Sequence, residues 1–174
     1  MIEERVSVDF VYGGWRKCQS RLVEALRPLS SEQLGWRAAA SQWPIWAIAA
    51  HTAGARVYWL CGVSKETGAE TTPFTDPLSG LGWEDDESTP RRVDELAMAL
   101  ETSWAIVEGC LARWTPQMLA AEFQRERNGN IQIHTRQSVL MRLITHDAYH
   151  SGEISQILGV HGLPGIDLWS PSAT

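Results

Sequence analysis

Apolar residues recur at three- and four-residue intervals in four separate stretches, the period of amphipathic helices. Phe10, Trp15, Cys18, Leu22, Ala25 and Leu26 predict a first helix from about Val6 to Leu26, ended by Pro28. Gly13-Gly14 weakens it by roughly 1 kcal/mol per glycine relative to alanine. Ser30 or Ser31 then caps a short turn through Leu34. A second helix begins near Ser41, takes Pro44 in its first turn and runs to Cys61-Gly62. From Trp43 to Leu60 it is apolar nearly all round, so it is expected to be buried on several sides. Thr89-Pro90 starts a third helix that runs to about Trp114, with Val93, Leu96, Leu100, Trp104, Val107 and Leu111 as its stripe. Thr135 caps a fourth, Arg136 to Leu158, which Gly159 stops. Its apolar positions are Leu140, Leu143, Ile144, Ala148, Ile154, Ile157 and Leu158.

The segments between these helices break the period. Residues 63–89 carry Gly68, Pro73, Pro77, Gly80 and Gly82 among Ser, Thr and acidic residues. A connection this long is uncommon in a compact domain. It reads as a crossover along the molecule, so the third helix need not run antiparallel to the second. The competing reading is a lid that turns Phe74, Leu78, Leu81 and Trp83 inward. Glu84-Asp85-Asp86-Glu87 reads as a solvated loop. Thr115-Pro116 opens a short turn through Leu119. Glu122 to Arg127 and Asn130 to His134 flank Asn128-Gly129, a hairpin signal. Residues 163–169 are expected to pack along the outside. The sum is an all-α, single-domain chain over residues 1–174. It is a four-helix bundle with a long crossover between helices 2 and 3 and a small hairpin before helix 4.

Composition narrows the function classes. The chain has 174 residues, 44% hydrophobic and 21% charged, with a net charge of −6. That balance, without a long basic run, argues against nucleic acid as a partner. No apolar run reaches the ~18 residues of a membrane span. Met1 to Arg5 lacks a basic and then apolar signal region, so the expected location is the cytoplasm. Cys18, Cys61 and Cys110 are odd in number and free of CxxC spacing. They read as small core residues in a reducing compartment rather than as catalytic thiols. Nine Trp exceed what the interior of such a bundle needs, which predicts a homodimer. The first helix and Pro116 to His134 are its candidate surfaces.

The chemistry concentrates in the fourth helix. His146 and His150 stand four residues apart, and a four-residue step turns a helix by roughly 400°. Both imidazoles therefore leave one side of the helix, where one metal ion can reach both. His51, on the apolar second helix, is the candidate third ligand. The structural alternative is ordinary helix histidines. Glu153 shares their face and is the candidate catalytic residue, orienting a ligand or serving as general base. The alternative for it is a polar residue paired with an arginine. Asp147 turns away and should bond a neighbouring helix. Tyr58 and Tyr149 line a cavity or the core. His134 and His161 flank helix ends and read as surface residues.

These residues resemble the DinB-like superfamily of metal-binding helical bundles, which includes bacillithiol transferases and mycothiol-dependent enzymes. The resemblance rests on Leu29 to Trp36 after the first helix, His51, the stretch Thr135 to Gly152, the closing Gly152 to Leu158, and Gly162-Leu163-Pro164. It implies one metal ligand from the second helix and two from the fourth, matching His51, His146 and His150. The three-histidine set is similar to the bacillithiol-transferase type. Mycothiol-dependent relatives often carry a carboxylate where His146 stands. The resemblance also implies side-by-side pairing of bundles. Three neutral imidazoles leave positions open on a Zn²⁺ or Ni²⁺ ion for water or a thiolate. The expected function is a metal-dependent enzyme acting on a small molecule by thiol transfer or hydrolysis, the first of which would draw on a low-molecular-weight thiol as a second cofactor. The alternatives are a non-catalytic, stress-associated protein that binds a metal or small ligand, and a structural metal that staples the bundle.

Overall fold

A computed structural model of the chain describes residues 7–79, 81–168 and 170. The expectations for Val6, Gly80 and Trp169 lie outside the described residues. Helix α1 spans Gly13–Leu26, α2 Ser31–Leu34, α3 Ile45–Val57, α4 Val93–Arg113 and α5 Arg136–Val160. Strands β1 (Glu122–Arg127) and β2 (Asn130–Thr135) form one antiparallel hairpin, with Phe123 opposite His134 and Arg125 opposite Gln132.

The helix ends differ from expectation for local reasons. A 3₁₀ turn at Asp9–Val11 precedes α1, so Gly13 and Gly14 open the helix instead of weakening its middle. Phe10 is consequently not part of the buried stripe and is 74% exposed. The Ser30 side chain accepts from the Gln33 N–H, and Gln33 returns a bond to the Ser30 N–H. Pro44 caps α3 from outside its first turn. Beyond Val57 the helix continues as a π turn through Tyr58–Val63, and Gly62 lies inside that turn. The chain leaves at Lys65, whose φ is +60°. Arg92, not Thr89, caps α4, and its N–H donates to Glu95. Thr135 caps α5 through Ser138, and α5 runs past Gly159 to Val160 before Gly162 turns at φ +77°. Asn128 (φ +53°) and Gly129 (φ +75°) close the hairpin in left-handed backbone, which these two residues tolerate.

Two apolar clusters set the helix directions. One joins the C-terminal ends of α1 and α5 to the N-terminal halves of α3 and α4. The other joins the N-terminal ends of α1 and α5 to the C-terminal parts of α3 and α4. Thus α3 and α4 run parallel, and α1 and α5 run opposite to them. Parallel neighbours need the long connection 64–92. Helix α3 packs on both α4 and α5, and Ile45 to Ala50 are all buried, as its all-round apolar pattern predicts.

A buried polar network ties the helices at mid-height. Arg56 on α3 is 1% exposed and Asp147 on α5 is 3% exposed. Arg56 Nη2 donates to Asp147 Oδ2 at 2.7 Å, and Trp15 Nε1 on α1 donates to the same oxygen at 2.7 Å. Arg56 and Gln19 also donate to the Leu100 carbonyl on α4. Asp147 does bond neighbouring helices.

Candidate metal centre

The convergence of His51, His146 and His150 follows from where α3 meets α5. Four-residue spacing stacks His146 and His150 on one face of α5. Helix α3 crosses that face with His51, and one potential ligand atom from each ring lies within 4.8 Å of the others. The ring centroids of His51 and His146 are 4.8 Å apart, and those of His146 and His150 are 4.3 Å apart. His146 Nε2 lies 2.9 Å from His51 Nε2.

Each ring differs in what holds its other nitrogen. His51 Nδ1 meets Glu84 Oε1 at 2.7 Å, and His150 Nδ1 meets Glu153 Oε2 at 2.6 Å. A carboxylate on Nδ1 holds the proton there and leaves the Nε2 lone pair free. His146 Nδ1 is buried without a partner. Burial first, and then its neighbours His150 and His51, push the His146 imidazole down to about 3. Burial also holds His150 below the ordinary range, against the raising effect of Glu153. Two rings held neutral this way present lone pairs rather than charge, the state a cation requires.

The donor set fits a divalent ion. Metal–nitrogen bonds of ~2.0–2.1 Å in a tetrahedron place ligand nitrogens about 3.3 Å apart. The 2.9 Å approach of His51 to His146 must open by a few tenths of an ångström to reach that spacing. The three histidines can hold a metal ion, and among the described residues they are the group that can.

Glu84 corrects the sequence reading. It was expected in a solvated acidic loop, yet its side chain is 12% exposed and bonded to His51. The connection brings it there by anchoring on both sides. Phe74 packs against Gly54 of α3 and against Trp83, and Arg91 lies over the Trp83 ring. The Glu84 carboxylate lies so close to Gly82 that a side chain there would have to displace it from its present position. No periodicity marks Glu84, because a loop residue is placed by the tertiary path. Leu78 and Leu81, expected inside under the lid reading, are 57% and 80% exposed.

The remaining candidates sort by geometry. Glu153 is partnered by His150, not by an arginine. It borders a cleft of about 660 Å³ together with Trp43, Tyr149, His150 and Gln156. Tyr149 is exposed and edge-on to His150, whereas Tyr58 is half-buried and accepts from Arg125 Nε at 2.6 Å. His161 is exposed and stacks on Trp36 at 4.1 Å. His134 is not a plain surface residue: it is half-buried, edge-on to Trp59. The thiols are quiet, since burial raises Cys18 and Cys61 and pushes Cys110 up to about 12.

A mostly helical fold with three converging histidines defines the class of protein. The sequence profile of the DinB superfamily matches residues 15–154, and the chain belongs to that superfamily. A crystal structure of a DinB-like protein from Bacillus cereus superposes with a TM-score of 0.65. It is 18% identical and covers 98% of this chain and 99% of its own, a likeness of fold alone. No curated protein matches the chain significantly. Among the described residues, no helix is long and apolar enough to cross a membrane.

Proposed function

We propose that this chain is a metal-dependent enzyme that acts on a small molecule by thiol transfer or hydrolysis. His51, His146 and His150 hold the metal, and α1, α3, α4 and α5 form a four-helix bundle around it. The observation that carries this reading is the asymmetric support of the trio. Two rings have carboxylates on Nδ1, at 2.7 and 2.6 Å, and the His146 ring is neutral and aimed at His51. A packing role needs no such arrangement. Nitrogen donors of this kind suit Zn²⁺ or Ni²⁺. When bound, such an ion supplies Lewis acidity and an open position for water or a thiolate.

The chain's own residues do the rest. Glu84 and Glu153 fix the tautomers of His51 and His150, so both present Nε2. Glu153, at the cleft edge, is also placed to take a proton from a substrate there. Trp43 and Tyr149 flank the cleft and limit what enters. This proximity of cleft and donors favours catalysis over a structural staple, whose metal would be enclosed by a fourth protein ligand.

The test is metal content after purification and dialysis. The wild-type chain should retain about one divalent ion, as a three-imidazole site implies. His146→Ala should retain none, and His134→Ala should match wild type. Full stoichiometry in His146→Ala would remove the ligand assignment. A protein that retains metal but never binds a small thiol or shows hydrolysis would favour the non-catalytic, ligand-binding reading.

A further inference from the structure

Among the described residues, every arginine other than Arg125, Arg127 and Arg142 has a carboxylate partner. Two of these three exceptions converge. Arg142 lies 4.5 Å from the centroid of the Trp59 ring, and Arg125 lies 4.8 Å from the same centroid. His134 sits edge-on to that indole at 4.9 Å, and its Nε2 is buried without a partner. Burial and the two guanidiniums hold His134 below its ordinary value, so its ring stays neutral. Arg125 spends Nε on Tyr58 and Nη1 on Gln132. Arg127 shares the β1 face of Arg125 by strand alternation.

Both guanidiniums stand against the same indole and both act on His134, and in a chain of net charge −6 no shortage of acidic residues explains why neither has a carboxylate partner. An oxyanion beside that indole would accept the N–H groups of Arg142 and those that Tyr58 and Gln132 leave free on Arg125, in the fork geometry that suits carboxylate and phosphate. The place matters as much as the charge. Arg142 stands four residues before His146 on α5, one turn along the same face, about 6 Å at the backbone.

We propose that Arg125, Arg142 and His134, arranged around Trp59, form an oxyanion-binding site for the same small molecule whose other end reaches the three-histidine centre. The substrate is thus an anionic small molecule, with a carboxylate or phosphate about one helical turn from its metal-facing group. This rests on the metal-centre reading for the ligand's far end, but the oxyanion site itself does not.

The test therefore has two arms. In the first, metal-free protein labelled at its indole nitrogens is titrated with inorganic phosphate at constant ionic strength, with the Trp59 signal assigned by Trp59→Phe. Its resonance should shift saturably. Binding should weaken about tenfold or more in Arg142→Gln and in Arg125→Gln, as for a lost charge-assisted bond. Arg27→Gln, at an arginine paired elsewhere with Glu101, should match wild type. In the second arm, metal-loaded protein is titrated with 3-mercaptopropionate and with the neutral 2-mercaptoethanol. The carboxylate-bearing thiol should bind about tenfold more tightly, and Arg142→Gln should erase the difference. No saturable phosphate response, or one unchanged in Arg142→Gln, overturns the oxyanion site. A phosphate response without any preference between the thiols overturns its link to the centre. Failure to retain metal with the phosphate response intact overturns the metal reading and leaves the oxyanion site standing.

Discussion

The three imidazoles are held in three ways, and each way has its own consequence. Glu84 acts on the centre only through His51, so Glu84→Gln should leave the fold intact and weaken metal binding by about 10- to 100-fold. Competition with a chelator of known affinity measures it, and unchanged affinity would show that the contact is incidental. Glu153→Gln separates two roles. A similar loss of metal affinity marks Glu153 as a positioning residue for His150, whereas full affinity with a fallen kcat marks it as the general base. Acid sensitivity follows from the depressed values of His146, pushed down to about 3, and His150. In an unfolded chain both titrate near 6.5. Between these values the unfolded chain binds protons that the folded chain refuses. The stability of the metal-free protein is therefore full above about pH 6.5 and falls as pH drops below it, by up to about 1.4 kcal/mol per pH unit from His146 down to about pH 3, with a further share from His150 over the range by which its own value is lowered. Denaturation midpoints measured from about pH 7 down to about pH 4.5 check this. His146→Leu should lose one site's share of the slope, and an equal slope would refute the assignment to His146.

At the scale of elements, the centre depends on the registry of α3 against α5. The Arg56–Asp147 pair sets it, one residue from His146 and five from His51. Asp147→Ala leaves a buried guanidinium unpaired and frees the Trp15 indole N–H. It should destabilise the fold by about 3–5 kcal/mol, read as a lowered thermal midpoint. A loss below about 1 kcal/mol would mean that the pair is solvated. Most of these elements were legible in the chain itself. The stripe Leu96, Leu100, Trp104, Val107, Leu111 is buried on α4 as its period predicts. The Asn128-Gly129 turn also falls where its backbone preference predicts. The boundaries were less legible. Thr89-Pro90 has the composition of a helix start, but α4 begins at Val93, because the chain is still crossing the molecule there.

For the whole molecule, the tryptophans change the argument about association. Trp15, Trp46, Trp59, Trp104 and Trp114 are buried, and Trp36, Trp43 and Trp83 are half-buried against the core. They no longer supply a surplus that calls for a partner. The homodimer remains a proposal on other ground: Phe10 and Val11 before α1, and Ile131 and Ile133 on β2, are exposed in the two candidate surfaces. Light scattering at micromolar concentration should give twice 19.4 kDa. The interface should bury roughly 800 Å² per subunit if specific. A mass of 19.4 kDa would show a monomer. The sequence by itself determined the helices and the pairing of His146 with His150, since both follow from a 3.6-residue period acting within one element. His51 was legible as a candidate third ligand, because an apolar helix has no folding need for an imidazole, but no spacing within one element ties it to the other two. Glu84, the neutral state of His146, and the contacts of Arg125 and Arg142 with Trp59 were decided by tertiary structure alone. They join residues at least 33 positions apart. No local propensity encodes a contact between a loop and a helix, or the burial that strips a ring of its proton.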